Sequence, residues 1–416
     1  MTAATPLQPG SLVPIGTALH SRTLALCKSL NYREWSGFFS VSAYETHHEH
    51  EYAAVRTSAA LIDISPLYKY LVTGKEATAF VDRLITRDAT KLAVGQVAYT
   101  TWCDEDGKVI DDGTVSRLGE EQYRWTAADP NLRWFQQNAR GLDVTICDVS
   151  EQVGALALQG PTSTDVLRQV ADLDVDALRY FRVTSGTIQG VQVDVSRTGY
   201  TGDLGYEIWM PWQDAGKVWD ALVDRSQDFI LRPAGMLALD VVRIEAGLLL
   251  TDVDFFGSRK ALIPSQRYSP FEMGLDRLVG VNKAPFVGQS ALQGERRTGP
   301  PRRIVGLEID WPAIEVLFEA AGLPPQPPIV ASREAVPVYK TGQQIGKATS
   351  MTWSPVLKKL IALATVSRDY AAPGNRIQIE FTIEAVRHKV EAAVVETPFF
   401  SPSRKTATPP PAASSV

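Results

Sequence analysis

The sequence predicts an α+β protein that ends in a separate all-β unit, and three observations carry that prediction. Helical and strand periodicities alternate at short range up to about residue 292. After residue 303 the pattern changes to short strands separated by Gly, Pro and Asn turns, with almost no helical stripe among them. Between the two lies "QGERRTGPPRR", residues 293–303, which joins charge to Gly and consecutive Pro as a linker does. A chain of 416 residues, 44% apolar and 21% charged, is also too long for one core of the usual size.

Taken in order, residues 1–20 read as a flexible N-terminal segment and residues 21–292 as the large mixed unit. Within it "YKYLVTG" is a strand closed by glycine. "KEATAFVDRLITRD" sets Ala77, Phe80, Val81, Leu84 and Ile85 at helical spacing. Pro161 opens a second helix, and Val218, Trp219 and Leu222 stripe a third. Residues 304–402 hold "RIVGLEI", "AVPVYKTGQQIGKATSM", "LIALATV", "NRIQIEF" and "HKVEAAVVE", a run that suits a small barrel or sandwich. Residues 403–416 carry no apolar stripe. They read as a disordered tail whose removal should leave fold and ligand affinity intact.

The formal charge of -5, with no dense Lys/Arg block, excludes a nucleic-acid surface and leaves small molecules as partners. Cys27, Cys103 and Cys147 fit neither a disulfide framework nor a metal knuckle. The first residues show no basic region followed by an apolar core, and no apolar run approaches the roughly 20 residues of a membrane span. A cytoplasmic protein without membrane contact is expected.

The densest signal is "SRTGYTGDLGYEIWM", residues 196–210. Its glycines at 199, 202 and 205 match neither the dinucleotide fingerprint nor a Walker loop, since a strand follows where those motifs need a helix. Two readings stand. One is a hairpin with glycine where φ is positive. The other is a binding loop whose Glu207 presents two coplanar acceptors to a ligand edge with two parallel N–H donors, such as the aminopyrimidinone edge of a pterin.

Asp111 and Asp112 in "DGKVIDD" admit either a solvated turn or a strand that points one carboxylate inward. In "YETHHEHEY", His47 and Glu51 are spaced as zinc ligands can be, but the next stretch continues a surface helix and no metal is expected. Arg243 and Glu245, two apart, face different sides of a helix and read as packing groups. Cys103 has no His nearby in sequence to activate it and reads as a half-buried bystander.

"RTGYTGDLGYEI" resembles the signature of the folate-binding aminomethyltransferase family, that of the glycine cleavage T-protein. "AVRTSAALIDIS", "FVDRLITRDATKLAVGQVAYT", "DGKVIDD", "LALQGP", "RPAGMLALDVVRIEAG", "PFVGQSAL" and "ATSMTWSPVLKKLIALATV" follow in the family's order. The resemblance implies a cloverleaf of two ferredoxin-like halves over residues 21–292, with the C-terminal barrel beside them, and tetrahydrofolate as cofactor. It implies that Glu207 holds the pterin, that Tyr200 and Tyr180 contact its ring, that Tyr99 lines the site and that Asp112 is catalytic. Asp111 is then expected to point outward or to hold the local backbone.

Some residues depart from the family pattern. Leu239 replaces an arginine before Asp240, and Pro66 replaces a histidine. "DISPLYKY" and "KVIDDGTVSRL" look more like the tetrahydrofolate-dependent demethylase branch. A small methylated amine, sulfonium or ether is therefore expected as donor, with no lipoyl carrier protein as partner. The glycine cleavage aminomethyltransferase is the alternative. A non-catalytic folate-binding module is a third, set back by "KAPFVGQS", where such relatives carry Gly and Cys in place of Ala284 and Pro285.

Overall fold

The computed structural model describes residues 13–225 and 230–409. Its N-terminal region is built on two large sheets beside a two-stranded hairpin, Asn31–Trp35 and Phe38–Ala43, and each large sheet has one helix-covered apolar face and one face on which polar side chains stand among core residues such as Trp209 and Ile62. The first has the spatial order Val97–Cys103, Val109–Gly119, Gln122–Ala127, Tyr68–Thr73, Thr145–Asp148, all neighbours antiparallel. Tyr70, Val72, Trp102, Val115, Tyr123 and Trp125 pack on Phe80, Val81, Leu84 and Phe135 from the helices Ala77–Leu84 and Leu132–Asn138. Successive side chains on a strand alternate faces, so the residues between them line the opposite side. There Tyr99 stands across from Thr114, Thr101 from Asp112, and Ser116 from Arg124.

The second sheet has seven strands in the order Ala171–Asp172, Val183–Ile188, Val191–Ser196, Gly205–Pro211, Val153–Gln159, Ala59–Asp63, Leu231–Pro233. Leu156, Leu158, Val193, Val195, Tyr206 and Ile208 pack under the helices Ser163–Val170 and Ala215–Arg225 through Val166, Leu167, Val218 and Leu222. The same alternation turns Asp194, Ser196, Glu207 and Trp209 to the other face. The two polar faces meet where Arg124 Nη1 donates to Asp194 Oδ2 at 2.6 Å.

Six strands close the C-terminal barrel: Arg302–Ile309, Lys359–Ser367, Gln343–Ser354, Val336–Lys340, Arg376–Ile383 and Val386–Val395. Leu307, Val338, Leu360 and Ile377 fill it. The barrel is fastened through the helix Met236–Glu245. Arg243 donates to Asp254 at 2.6 Å and to Ser350 at 2.8 Å. Glu245 accepts from Arg56 Nη2 at 2.7 Å, Tyr52 at 2.7 Å and Ser354 at 2.6 Å. Both are buried ions whose partners come from other elements, which suits the packing role read for them.

Three expectations need correction. The helix Gln289–Thr298 runs through the first half of the expected linker because Leu292 is fully buried beneath it, and a barrel strand begins at Arg302. In the segment expected to be flexible, Ile15 bridges to Phe38, Thr17 donates to Asp63 at 2.6 Å and Leu19 is buried; residues 1–12 lie outside the described residues. The tail docks by charge rather than by an apolar stripe. Arg404 donates to both oxygens of Asp203, at 2.6 and 2.9 Å, and Arg197 donates to the carbonyls of Arg404, Lys405 and Ala407. Residues 410–416 lie outside the described residues.

The expected effect of truncation is thereby reversed. Ending the chain at Pro402 removes the Arg404 pair from Asp203, whose side chain is fully buried, at a cost of about 1–3 kcal/mol. The melting temperature should fall by several degrees, and an unchanged value would show that the docked tail contributes nothing.

Candidate active site

The glycine-rich stretch is a hairpin end, and its glycines answer to specific neighbours. Gly202 has φ +70°, where a non-glycine residue is strained. A Cβ on Gly199 would lie 2.1 Å from the Gln159 side chain, and one on Gly205 2.4 Å from it. The glycines make room for that buried amide, which accepts from Thr201 at 2.7 Å and donates to the carbonyls of Thr198 and Tyr206, each at 3.2 Å. Arg56 holds the loop from the other side, donating to Thr201 O at 3.0 Å and to Asp203 at 3.2 Å. So fixed, the loop delivers Glu207 to the polar face of the seven-stranded sheet.

Glu207 is half-buried. Its Oε2 accepts from the Thr198 hydroxyl at 2.6 Å, and its Oε1 accepts no hydrogen bond among the described residues. Burial raises its pKa, while the Thr198 hydroxyl and the Arg124 charge oppose the rise. One oxygen is thus locked in orientation and the other is open to a donor.

The five-stranded sheet contributes Asp112, half-buried, whose Oδ2 accepts from Tyr99 OH at 2.6 Å. Burial lifts the Asp112 pKa to about 6 against the pull of that hydrogen bond. Burial and the neighbouring carboxylate drive Tyr99 well upward, so its hydroxyl stays a donor. Asp111 does not point outward. It pairs across the strand with Trp102 and so lies on the helix-covered face, fully buried. There it accepts from Asp112 N at 2.8 Å, and from Asp129 N and Asn131 Nδ2 at 2.9 Å each. Three N–H donors make it a clamp on the local backbone, the other half of what was expected of it.

Tyr200 packs against the central core and its hydroxyl donates to Leu249 O; burial raises its pKa, and the Asp112 charge raises it further. Tyr180 sits apart on the loop before Val183–Ile188, its ring edge-on to Phe181 at 4.7 Å, with no hydrogen bond among the described residues. Tyr99 and Asp112 are thus joined by a hydrogen bond on the five-stranded sheet, Tyr200 is near enough to feel the Asp112 charge, Glu207 lies on the seven-stranded sheet, and Tyr180 is set apart from them.

Sequence reasoning passed over Arg124, Gln159 and Thr198. Arg124 had a legible signal: in "YRWTA" it alternates with the apolar Tyr123 and Trp125, which marks a polar face. Lys69, on that same face, is wholly buried; burial lowers its pKa to about 7, and its Nζ donates to Ser65 O at 2.6 Å. Glu51 turns inward to accept from Tyr44 N and Gly235 N at 2.7 Å each, away from exposed His47, so their zinc-like spacing does not converge. Cys103 is fully rather than half buried.

Comparison with known proteins bears on this geometry. The family model "GCVT N-terminal domain" matches residues 20–283, and "Glycine cleavage T-protein C-terminal barrel domain" matches residues 302–401. An aminomethyltransferase of Bacillus cytotoxicus is 34% identical over 383 residues, 91% of this chain and 95% of its own length. The chain belongs to the glycine cleavage T-protein family. An aminomethyltransferase of Geobacillus kaustophilus is also 34% identical, over 90% of this chain and 94% of its own. The glycine cleavage system aminomethyltransferase T of Bartonella henselae has the same fold, with a TM-score of 0.78 and 23% identity over 93% of this chain and 98% of its own.

T-protein family members use tetrahydrofolate as substrate or cofactor, and the chain is a member of this class of folate-dependent one-carbon transferases. The departure at Leu239 acquires a physical reading. Leu239 is buried in the core, and the cation missing beside Asp240 is supplied from outside the helix: Arg333 donates at 2.7–3.1 Å and Arg33 at 3.3 Å. Among the described residues no helix is long and apolar enough to cross a membrane.

Proposed function

We propose that this protein transfers a one-carbon unit from a nitrogen-bound donor to tetrahydrofolate, as an aminomethyltransferase, between the polar faces of its two sheets. The observation that carries the proposal is Glu207, with one oxygen fixed by Thr198 and the other open. The residues present fit a reduced folate: a single oriented carboxylate suits the paired N–H donors of a pterin edge, and Tyr99 and Tyr200, near Asp112, suit its rings, whereas Tyr180 sits apart from them. Tetrahydrofolate, when bound, supplies the nitrogen that receives the carbon.

The chain's own part is orientation and charge. Glu207 fixes the angle of the folate ring. Asp112, aligned by the Tyr99 hydroxyl, holds a donor cation in line and stabilises positive charge as the carbon moves. Such a carboxylate acts ionised, and Tyr99 keeps one of its oxygens turned away from the donor. Arg56, Gln159 and the docked Arg404 keep the loop rigid, which limits the loss of alignment that a small displacement would cause.

The curated relatives support the aminomethyl reading, the alternative in the sequence analysis, over demethylation of a methylated amine. "DISPLYKY" and "KVIDDGTVSRL" favour the demethylase, and Leu239 departs from the glycine-cleavage pattern, although the cations that Arg33 and Arg333 bring to Asp240 offset that departure. The two separate by product. Tetrahydrofolate is incubated in one arm with a lipoylated carrier protein bearing an aminomethyl group, and in the other with a panel of methylated amines, sulfoniums and ethers. Methylene-tetrahydrofolate with ammonia from the first arm is expected. Methyl-tetrahydrofolate from the second arm alone would replace this reading with the demethylase.

A further inference from the structure

Arg124 is a buried cation with work left over. Its side chain is 6% exposed, Nη1 donates to Asp194 at 2.6 Å, and the guanidinium lies over the Trp209 ring at 4.6 Å. Its Nε and Nη2 are buried and have no partner. Buried N–H groups of native proteins are nearly always satisfied, and two orphans on one charged group point to an acceptor that arrives with a ligand.

The register says where that acceptor would sit. Asp194 is paired across the strands with Trp209, and the neighbouring position on the same face pairs Ser196 with Glu207. Arg124 touches both members of the first pair, so its fork lies one pair along from Glu207. Trp209 Nε1 donates to Ser196 at 3.3 Å, Ser196 shares a hydrogen bond with Thr198 at 2.8 Å, and Thr198 donates to Glu207 at 2.6 Å. One continuous polar network thus presents an acceptor pair next to a donor pair.

A 4-oxo pterin carries the complement along one edge: an amino group, a ring N–H and a carbonyl oxygen. We infer that Arg124 is a specificity-determining residue that donates through Nε and Nη2 to the pterin carbonyl while Glu207 takes the two adjacent N–H groups. The inference rests on the reading of Glu207 given above. An analogue with an amino group at that carbon turns a donor toward the fork and is rejected, because a site built to hydrogen-bond one group is left unpaired by its replacement.

The test compares binding of tetrahydrofolate and 4-amino-4-deoxytetrahydrofolate by calorimetry. The wild-type protein should prefer the 4-oxo form. Arg124→Met should weaken tetrahydrofolate binding by about ten- to a hundredfold and change the 4-amino analogue by less than about threefold, so the preference collapses. The analogue also alters the ring nitrogen facing Glu207, but that change is common to both proteins and cancels in the double comparison. Asp194→Asn, which removes the ion pair and keeps the fork, should retain the preference. If Arg124→Met fails to fold, Arg124→Lys keeps a cation for Asp194, loses the planar fork and should lose the preference.

Equal weakening of both ligands in the Arg124 variants would overturn the inference and leave Arg124 as a bridge between the sheets. Glu207→Gln is run alongside. If it affects neither ligand, the reading of Glu207 has failed; if it weakens binding while the preference survives at Arg124→Met, only the role of Arg124 has failed.

Discussion

Replacing Asp112 with Asn is expected to lower kcat by about 10²-fold or more, roughly 3 kcal/mol, while tetrahydrofolate affinity stays within a few-fold. The amide keeps the shape of the side chain and its contact with Tyr99 but loses the field that holds a cationic donor. The group also has a pH signature. Burial raises Asp112 to about 6, so its ionised form is depleted as pH falls through that value. Activity should show an acid limb near pH 6 that is absent from the residual activity of the Asn variant.

Asp111→Asn should differ in kind. Asp111 accepts from three N–H groups, and an amide nitrogen in its place faces a donor with a donor. The loss should appear as a lower melting temperature, with kcat per folded molecule changed far less. If Asp111→Asn were the catalytically inactive variant and Asp112→Asn were active, the roles drawn from the two strand faces would be exchanged.

The sequence made the architecture legible because binary patterning is local. Alternation in "YKYLVTG" and a helical stripe in "KEATAFVDRLITRD" each specify an element without knowledge of the rest. Gly202 likewise fell where a positive φ is needed. What depends on long-range pairing was not legible. The tail was judged by its lack of apolar residues, whereas Arg404 docks on Asp203, 201 positions earlier in the chain. Asp111 is expected outward because the resemblance turns its neighbour Asp112 into the site, whereas the register opposite Trp102 carries it into the helix-covered face and Asn131 satisfies it there. Arg124 shows the same limit from the other side, since alternation marks its face but only the folded chain reveals two unmet donors beside Glu207.

Calorimetric titration of tetrahydrofolate into the wild-type protein and Glu207→Gln bears most directly on the claim that the folate site lies between the two sheets. Loss of a charge-assisted pair at an oriented carboxylate costs on the order of 2 to 3 kcal/mol, which is about 30- to 150-fold in affinity. Gln keeps an acceptor for the Thr198 hydroxyl, so the loop geometry should survive and the melting temperature should hardly move. Tight binding by the wild type is expected, with a weakening of that size in Glu207→Gln. Equal affinities in two folded proteins would contradict that claim and place the folate elsewhere.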